Sequence, residues 1–153
     1  MYHETTDATD FAVWGVDYLA YGNCYNEGIP ALDRYTAMSK ALQATGRSIY
    51  YSVRNWGNEQ IWEWGWKVAD TWRTTKPIER TNDDSVATNQ WQALKGNFLQ
   101  NQFHAIQAGP YRGWNDPDKL LIGLGLLTPT EEKTQFALWS FARAPLFFAA
   151  DLT

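Results

Sequence analysis

Residues 15–26, GVDYLAYGNCYN, set the reading of the whole chain. Val16, Tyr18, Leu19 and Tyr21 are β-formers in a short apolar run, and the turn formers Gly22, Asn23 and Asn26 follow at once. A strand that stops this way aims its last side chains beyond the edge of a sheet. Outward from it, strand-like runs at 16–21, 48–53, 72–75, 120–123 and 146–149 alternate with helical patterns. A first helix is expected to end over 9–14. A second carries Leu32, Tyr35, Met38, Ala41 and Leu42 at helical spacing up to a stop at Gly46. A third covers 59–69 with Ile61, Trp62, Trp66 and Ala69 on one face, and a fourth covers 86–106 after a polar turn at 82–85. The last opens with Thr128 as N-cap, Pro129 in the first turn and Glu131 as the capping-box acid. Repeated βα units of this kind predict a parallel sheet, either doubly wound or part of a barrel.

The 153 residues form one unit without a Ser-rich or Pro-rich linker, and they fall short of the roughly 250 that a closed eight-fold barrel takes. Nine Trp, eight Tyr and seven Phe supply the flat faces that cores and sugars both use. A net charge of −4 without a basic cluster argues against a nucleic-acid partner and favours a neutral or polar ligand. No run approaches the roughly 18 apolar residues of a membrane span. Cys24 is the one cysteine, so no disulfide forms within the chain. His3 and His104 lack metal-ligand spacing and read as structural. Neither a Gly-rich phosphate loop nor a Ser-His-Asp arrangement emerges, so no metal and no cofactor is expected.

In parallel α/β folds the functional groups sit at the carboxyl ends of the strands. Those ends offer Tyr21, Gly22 and Asn23, then Arg54, Asn55 and Trp56, then residues 73–77; the loop before the expected fourth strand adds Trp114, Asn115, Asp116 and Asp118. Rings that stack on a sugar face, together with planar groups that fork onto hydroxyls, suit a polyhydroxylated ligand.

Several blocks in order now carry a resemblance. They are WGVDYL and YGNCYN within 14–26, the segment 34–52 with RY, AMS, AL and TGR, NWG at 55–57, WRTT at 72–75, AGPYRGWNDPD at 108–118, and the later Leu127, Glu132, Trp139 and Pro145. Together they resemble family 27 of the glycoside hydrolases, the α-galactosidases and α-N-acetylgalactosaminidases, over nearly the whole chain. The resemblance implies an incomplete (β/α)8 barrel, about strands four to eight, forming one partial catalytic domain over 1–153. It implies retaining hydrolysis of terminal α-galactosides by two carboxyl groups about 5–5.5 Å apart. The family nucleophile is the Asp of a K-Y-D-N-C type motif, matched here by Ala20, Tyr21, Gly22, Asn23 and Cys24. The acid/base is the Asp of a W-R-T-T-G-D type motif, matched by Trp72, Arg73, Thr74, Thr75, Lys76 and Pro77.

With Gly22 and Pro77 at those two positions, the chain is expected to be catalytically incompetent. The alternative is a non-catalytic carbohydrate-binding or scaffolding pseudoenzyme. The resemblance makes Arg73 and Asp118 sugar contacts, Asn55 a hydroxyl-recognising group, Asp116 part of the frame of the site, and Trp56 and Trp114 its walls. Lys119 stands where the family carries Met, and Arg54 where it carries Cys. Two added cations beside two lost acids favour an anionic ligand over a neutral galactoside. The family pairs the equivalent of Cys24 with an upstream cysteine, so here a free thiol is expected. A secreted or lysosomal setting is implied, as is a missing barrel half or another protein chain.

Overall fold

The computed structural model describes residues 3–78 and 89–151. The elements in order are α1 Glu4–Val13, β1 Tyr18–Gly22, α2 Ala31–Ala44, β2 Tyr50–Arg54, β3 Thr71–Arg73, α3 Gln90–Gln102, β4 Trp114–Asp116 and α4 Pro129–Phe141, with short 3-10 turns between several of them. The four strands form one parallel sheet in the order β1-β2-β3-β4. An open piece of a (β/α) barrel results.

Period-2 alternation divides the strand side chains between two faces. Leu19, Tyr21, Tyr51, Val53 and Trp72 pack with Ala8 of α1 and with Ala31, Tyr35, Met38, Ala41 and Leu42 of α2. The helical spacing in that second helix therefore marks the face that covers the sheet. The alternate residues Ala20, Gly22, Ser52, Arg54, Thr71, Arg73, Trp114 and Asp116 share the other face, the one a closed barrel turns inward. A second core joins α3 to α4 through Ile78, Leu94, Leu120, Leu121 and Trp139. The capping box at α4 forms as its sequence requires: Glu131 N donates to Thr128 Oγ1 at 3.3 Å, and Thr128 N donates to Glu131 Oε2 at 2.8 Å.

Four expected elements differ. Residues 59–69 do not make an α-helix but two 3-10 turns, Asn58–Glu63 and Gly65–Lys67, broken at Trp64. Trp64 Nε1 donates back to Glu59 O at 2.8 Å, and Gly65 lies against Trp72 so closely that a Cβ would sit 2.7 Å from the ring. The buried set is thus Ile61, Trp64 and Val68, whereas Trp66 is exposed. The fourth strand is Trp114–Asp116 rather than 120–123, because this segment matches the register of β3: Thr71 pairs Trp114 and Arg73 pairs Asp116. Leu120 and Leu121 owe their apolar character to the second core instead. Residues 146–149 form no strand; Phe147 O accepts from Leu120 N at 2.9 Å, and the Phe147 ring meets Tyr18 at 5.2 Å. The fourth helix is Gln90–Gln102, followed by a 3-10 turn at Ala105–Gln107, while the expected turn at 82–85 and residues 86–88 lie outside the described residues.

Two glycine substitutions test this packing. Gly65→Ala forces a methyl into the Trp72 ring and should cost about 1–3 kcal/mol, the usual range for overpacking. Gly96→Ala, in α3 with nothing within 4 Å of the added Cβ, should stabilise by about 0.5–1 kcal/mol. Urea unfolding of both variants checks the opposite signs.

Candidate functional site

The register places Gly22, Arg54, Arg73 and Asp116 at the carboxyl ends of β1 to β4 and on the inward face, since Gly22 pairs Arg54 and Arg73 pairs Asp116. Arg73 is the centre of the best-defined cluster. Its Nε lies 3.2 Å from Asp116 Oδ2 and its Nη1 lies 2.7 Å from Asp118 Oδ1, and all three side chains are buried.

Asp118 sits in the left-handed region at φ 102, which a residue other than glycine adopts only when its surroundings hold it there. The restraints are visible. Asp118 N donates to Asp116 Oδ1 at 2.8 Å, Asp118 Oδ2 accepts from Ile78 N at 2.7 Å, and Asp118 O accepts from Trp139 Nε1 at 2.6 Å. Lys119 N donates to Asp118 Oδ1 at 2.7 Å, and Lys119 O accepts from the buried Gln135 of α4 at 3.2 Å. Burial raises the pKa of the Asp118 carboxyl above the usual carboxylate value, against the opposing pull of the Arg73 charge and the two backbone donors. A carboxyl raised in the folded state binds its proton more tightly there than in the unfolded chain. Its contribution to stability is therefore full at acid pH and is lost as pH climbs through the raised value.

Asn55 and Trp56 stand on the loop after β2. Asn55 is fully buried and its Nδ2 donates to Asn58 O at 2.6 Å, while its Oδ1 has no hydrogen-bond partner among the described residues. Trp56, at φ 55, is half-buried. This loop is tied to β3 by Gly57 N, which donates to Arg73 O at 3.1 Å, and Gly57 is obligatory because a Cβ would lie 2.5 Å from Thr74 O. Pro77 is exposed, just past β3, beside a turn held by Asn97 Nδ2, which donates to Lys76 O at 2.8 Å and Pro117 O at 3.0 Å. Gly22 is half-buried, with nothing within 4 Å of a Cβ built on it and an ordinary φ.

Arg73 and Asp118 thus come into direct contact, Asn55 and Trp56 join them through Gly57, and Lys119 is the half-buried next residue after Asp118. Sequence reasoning missed the polar face of α3. Asn97, Gln100 and Asn101 fasten the ends of β3 through Lys76 O, Thr74 O and Thr74 Oγ1. The amides at 97 and 101, one helical turn apart, were the available signal. Cys24 is a free, exposed thiol. His104 stacks on Trp62 at 3.7 Å, and its pKa is lowered by burial. Among the described residues no three His, Cys, Asp or Glu side chains converge as a metal site. A groove of about 670 Å³ opens at the opposite, amino end of the strands beside Tyr50, Asp70 and Trp114.

A parallel βα sheet with a polar cluster at its carboxyl ends is the arrangement of part of a (β/α) barrel. The chain matches the family model described as Alpha galactosidase A over residues 1–153 and belongs to that family. It is 43% identical to α-galactosidase 3 of Arabidopsis thaliana over 152 residues, covering 99% of this chain and 32% of that protein. It is 41% identical to the α-galactosidase of Cyamopsis tetragonoloba, covering 98% of this chain and 34% of that protein. Among solved structures, an α-galactosidase of Saccharomyces cerevisiae superposes with a TM-score of 0.84 at 34% identity, over 96% of this chain and 36% of that one. The chain spans about a third of the length of the curated relatives it matches.

Arg73→Met should destabilise by about 3–5 kcal/mol at neutral pH, because two buried carboxylates lose their counter-ion. The loss should shrink as pH falls, because the raised Asp118 carboxyl takes up its proton and no longer needs the counter-ion. Denaturant titrations of the parent and the variant from neutral to acid pH measure it.

Proposed function

We propose that this chain supplies about strands four to eight of an α-galactosidase-like barrel and does not itself hydrolyse α-galactosides. The observation that carries the reading is Gly22: it ends β1 on the inward face, has open space where a side chain would stand, and brings no carboxylate. Pro77, at the matched acid/base position, has no proton to give. Retaining hydrolysis needs one carboxylate to attack the anomeric carbon and one acid to protonate the leaving oxygen, and neither position can do so. Asp116 and Asp118 do not replace them, since both are buried against Arg73.

A second reading, a non-catalytic carbohydrate-binding module, is favoured by the intact polar frame. The buried Asn55 and the cluster of Arg73, Asp116 and Asp118 remain in place. One related solved structure, a Saccharomyces cerevisiae α-galactosidase 32% identical to this chain, is described with raffinose. The exposed Trp14, Phe103, Ile106 and Phe141, with β1 and β4 each pairing one neighbour, support a requirement for the rest of a barrel or for another protein chain.

Incubation with an aryl α-galactoside should give no turnover above buffer, and measurable release of the aryl group would overturn the first reading. Calorimetric titration with galactose should give heat in the millimolar range, and its absence there would remove the binding reading. In sedimentation velocity the chain by itself should self-associate; a monodisperse, cooperatively melting monomer would contradict the need for a completing partner.

A further inference from the structure

We propose that Arg54 and the space over Gly22 form a binding site for a carboxylate. Gly22 and Arg54 are paired across β1 and β2 at the last rung of that ladder, so their backbones lie about 4.8 Å apart and their side-chain directions agree. Both belong to the alternate set opposite Tyr21 and Val53, which pack in the core. A Cβ at Gly22 meets nothing within 4 Å, and its φ lies outside the left-handed region, so the gap beside Arg54 is room rather than a backbone necessity.

The state of Arg54 differs from that of the other buried or half-buried arginines. Arg73 has two carboxylates, and Arg34 donates to Asn23 Oδ1 and Ile29 O. Arg54 Nε is buried without an acceptor, and among the described residues no carboxylate pairs with its guanidinium. An unmade hydrogen bond at a buried charged donor is costly, so the geometry calls for an acceptor. The acids on the same face, Asp116 and Asp118, are held by Arg73. A guanidinium takes a carboxylate through two parallel bonds from a pair of its nitrogens. The open space over Gly22 would admit the rest of such a ligand. The carboxylate can be that of a small free acid or that of a sugar acid. The sugar-acid form rests on the carbohydrate-binding reading; the free-acid form does not.

The test is calorimetric titration of the chain at low ionic strength with acetate, galacturonate and galactose. Acetate should bind, and galacturonate should bind at least about tenfold more tightly than its neutral counterpart, as one charge-assisted pair allows. Arg54→Gln should abolish the acetate heat and the preference for galacturonate. Gly22→Asp fills the gap with the chain's own carboxylate and should do the same, which keeps the test decisive even where Arg54→Gln fails to fold. Acetate binding with no heat from either sugar supports the carboxylate site and removes the sugar reading. Galactose binding equal to that of galacturonate, with acetate silent, overturns the carboxylate site and leaves the sugar reading standing. Acetate binding that survives both substitutions also overturns it.

Discussion

Arg73 leaves the end of β3 and meets two carboxylates, Asp116 from β4 and Asp118 from the bend beyond it, with all three buried. Much of the local order depends on that contact. Through Asp118 it reaches Ile78 N on the segment after β3 and Trp139 at the heart of the second core. Charges removed from water are a poor source of net stability, but once buried they tolerate few alternatives, because every wrong arrangement leaves a charge unpaired. The left-handed backbone at Asp118 is held by the same contacts, through Ile78 N, Asp116 Oδ1 and Trp139 Nε1.

The same cluster separates frame from chemistry. The retained polar groups bind one another: Arg73 with its two acids, Thr74 with Asn101, and Asn97 with the carbonyls of Lys76 and Pro117. The positions that the family resemblance assigns to bond cleavage, Gly22 and Pro77, stand at the rim of this frame without reactive atoms. Arg73 and the backbone donors of Ile78, Asp118 and Lys119 hold both carboxylates in position.

Much of the fold was legible because local patterns and tertiary demands agreed. The second helix showed its apolar face at helical spacing and used that face on the sheet, and Thr128 with Glu131 formed the capping box their spacing encodes. Residues 59–69 misled because an apolar spacing that suits a helix also suits two tight turns, and the close approach of Gly65 to Trp72 selects the turns. Residues 120–123 misled because an apolar run can serve a strand or a core loop. Only the ladder with Thr71 and Arg73 reveals that the shorter, polar Trp114–Asp116 is the strand.

By itself the sequence determined the parallel βα architecture, the family to which the ordered motifs point, and the absence of acids at positions 22 and 77, since these depend on composition and on contacts close along the chain. Tertiary structure decided which side chains meet. Register across β1 and β2 set Arg54 beside Gly22, and register across β3 and β4 gave Arg73 to Asp116. Those pairings join residues 32 and 43 positions apart in the sequence, and no local periodicity carries information over such separations. Strand pairing does, because each ladder fixes the face and height of every side chain it aligns.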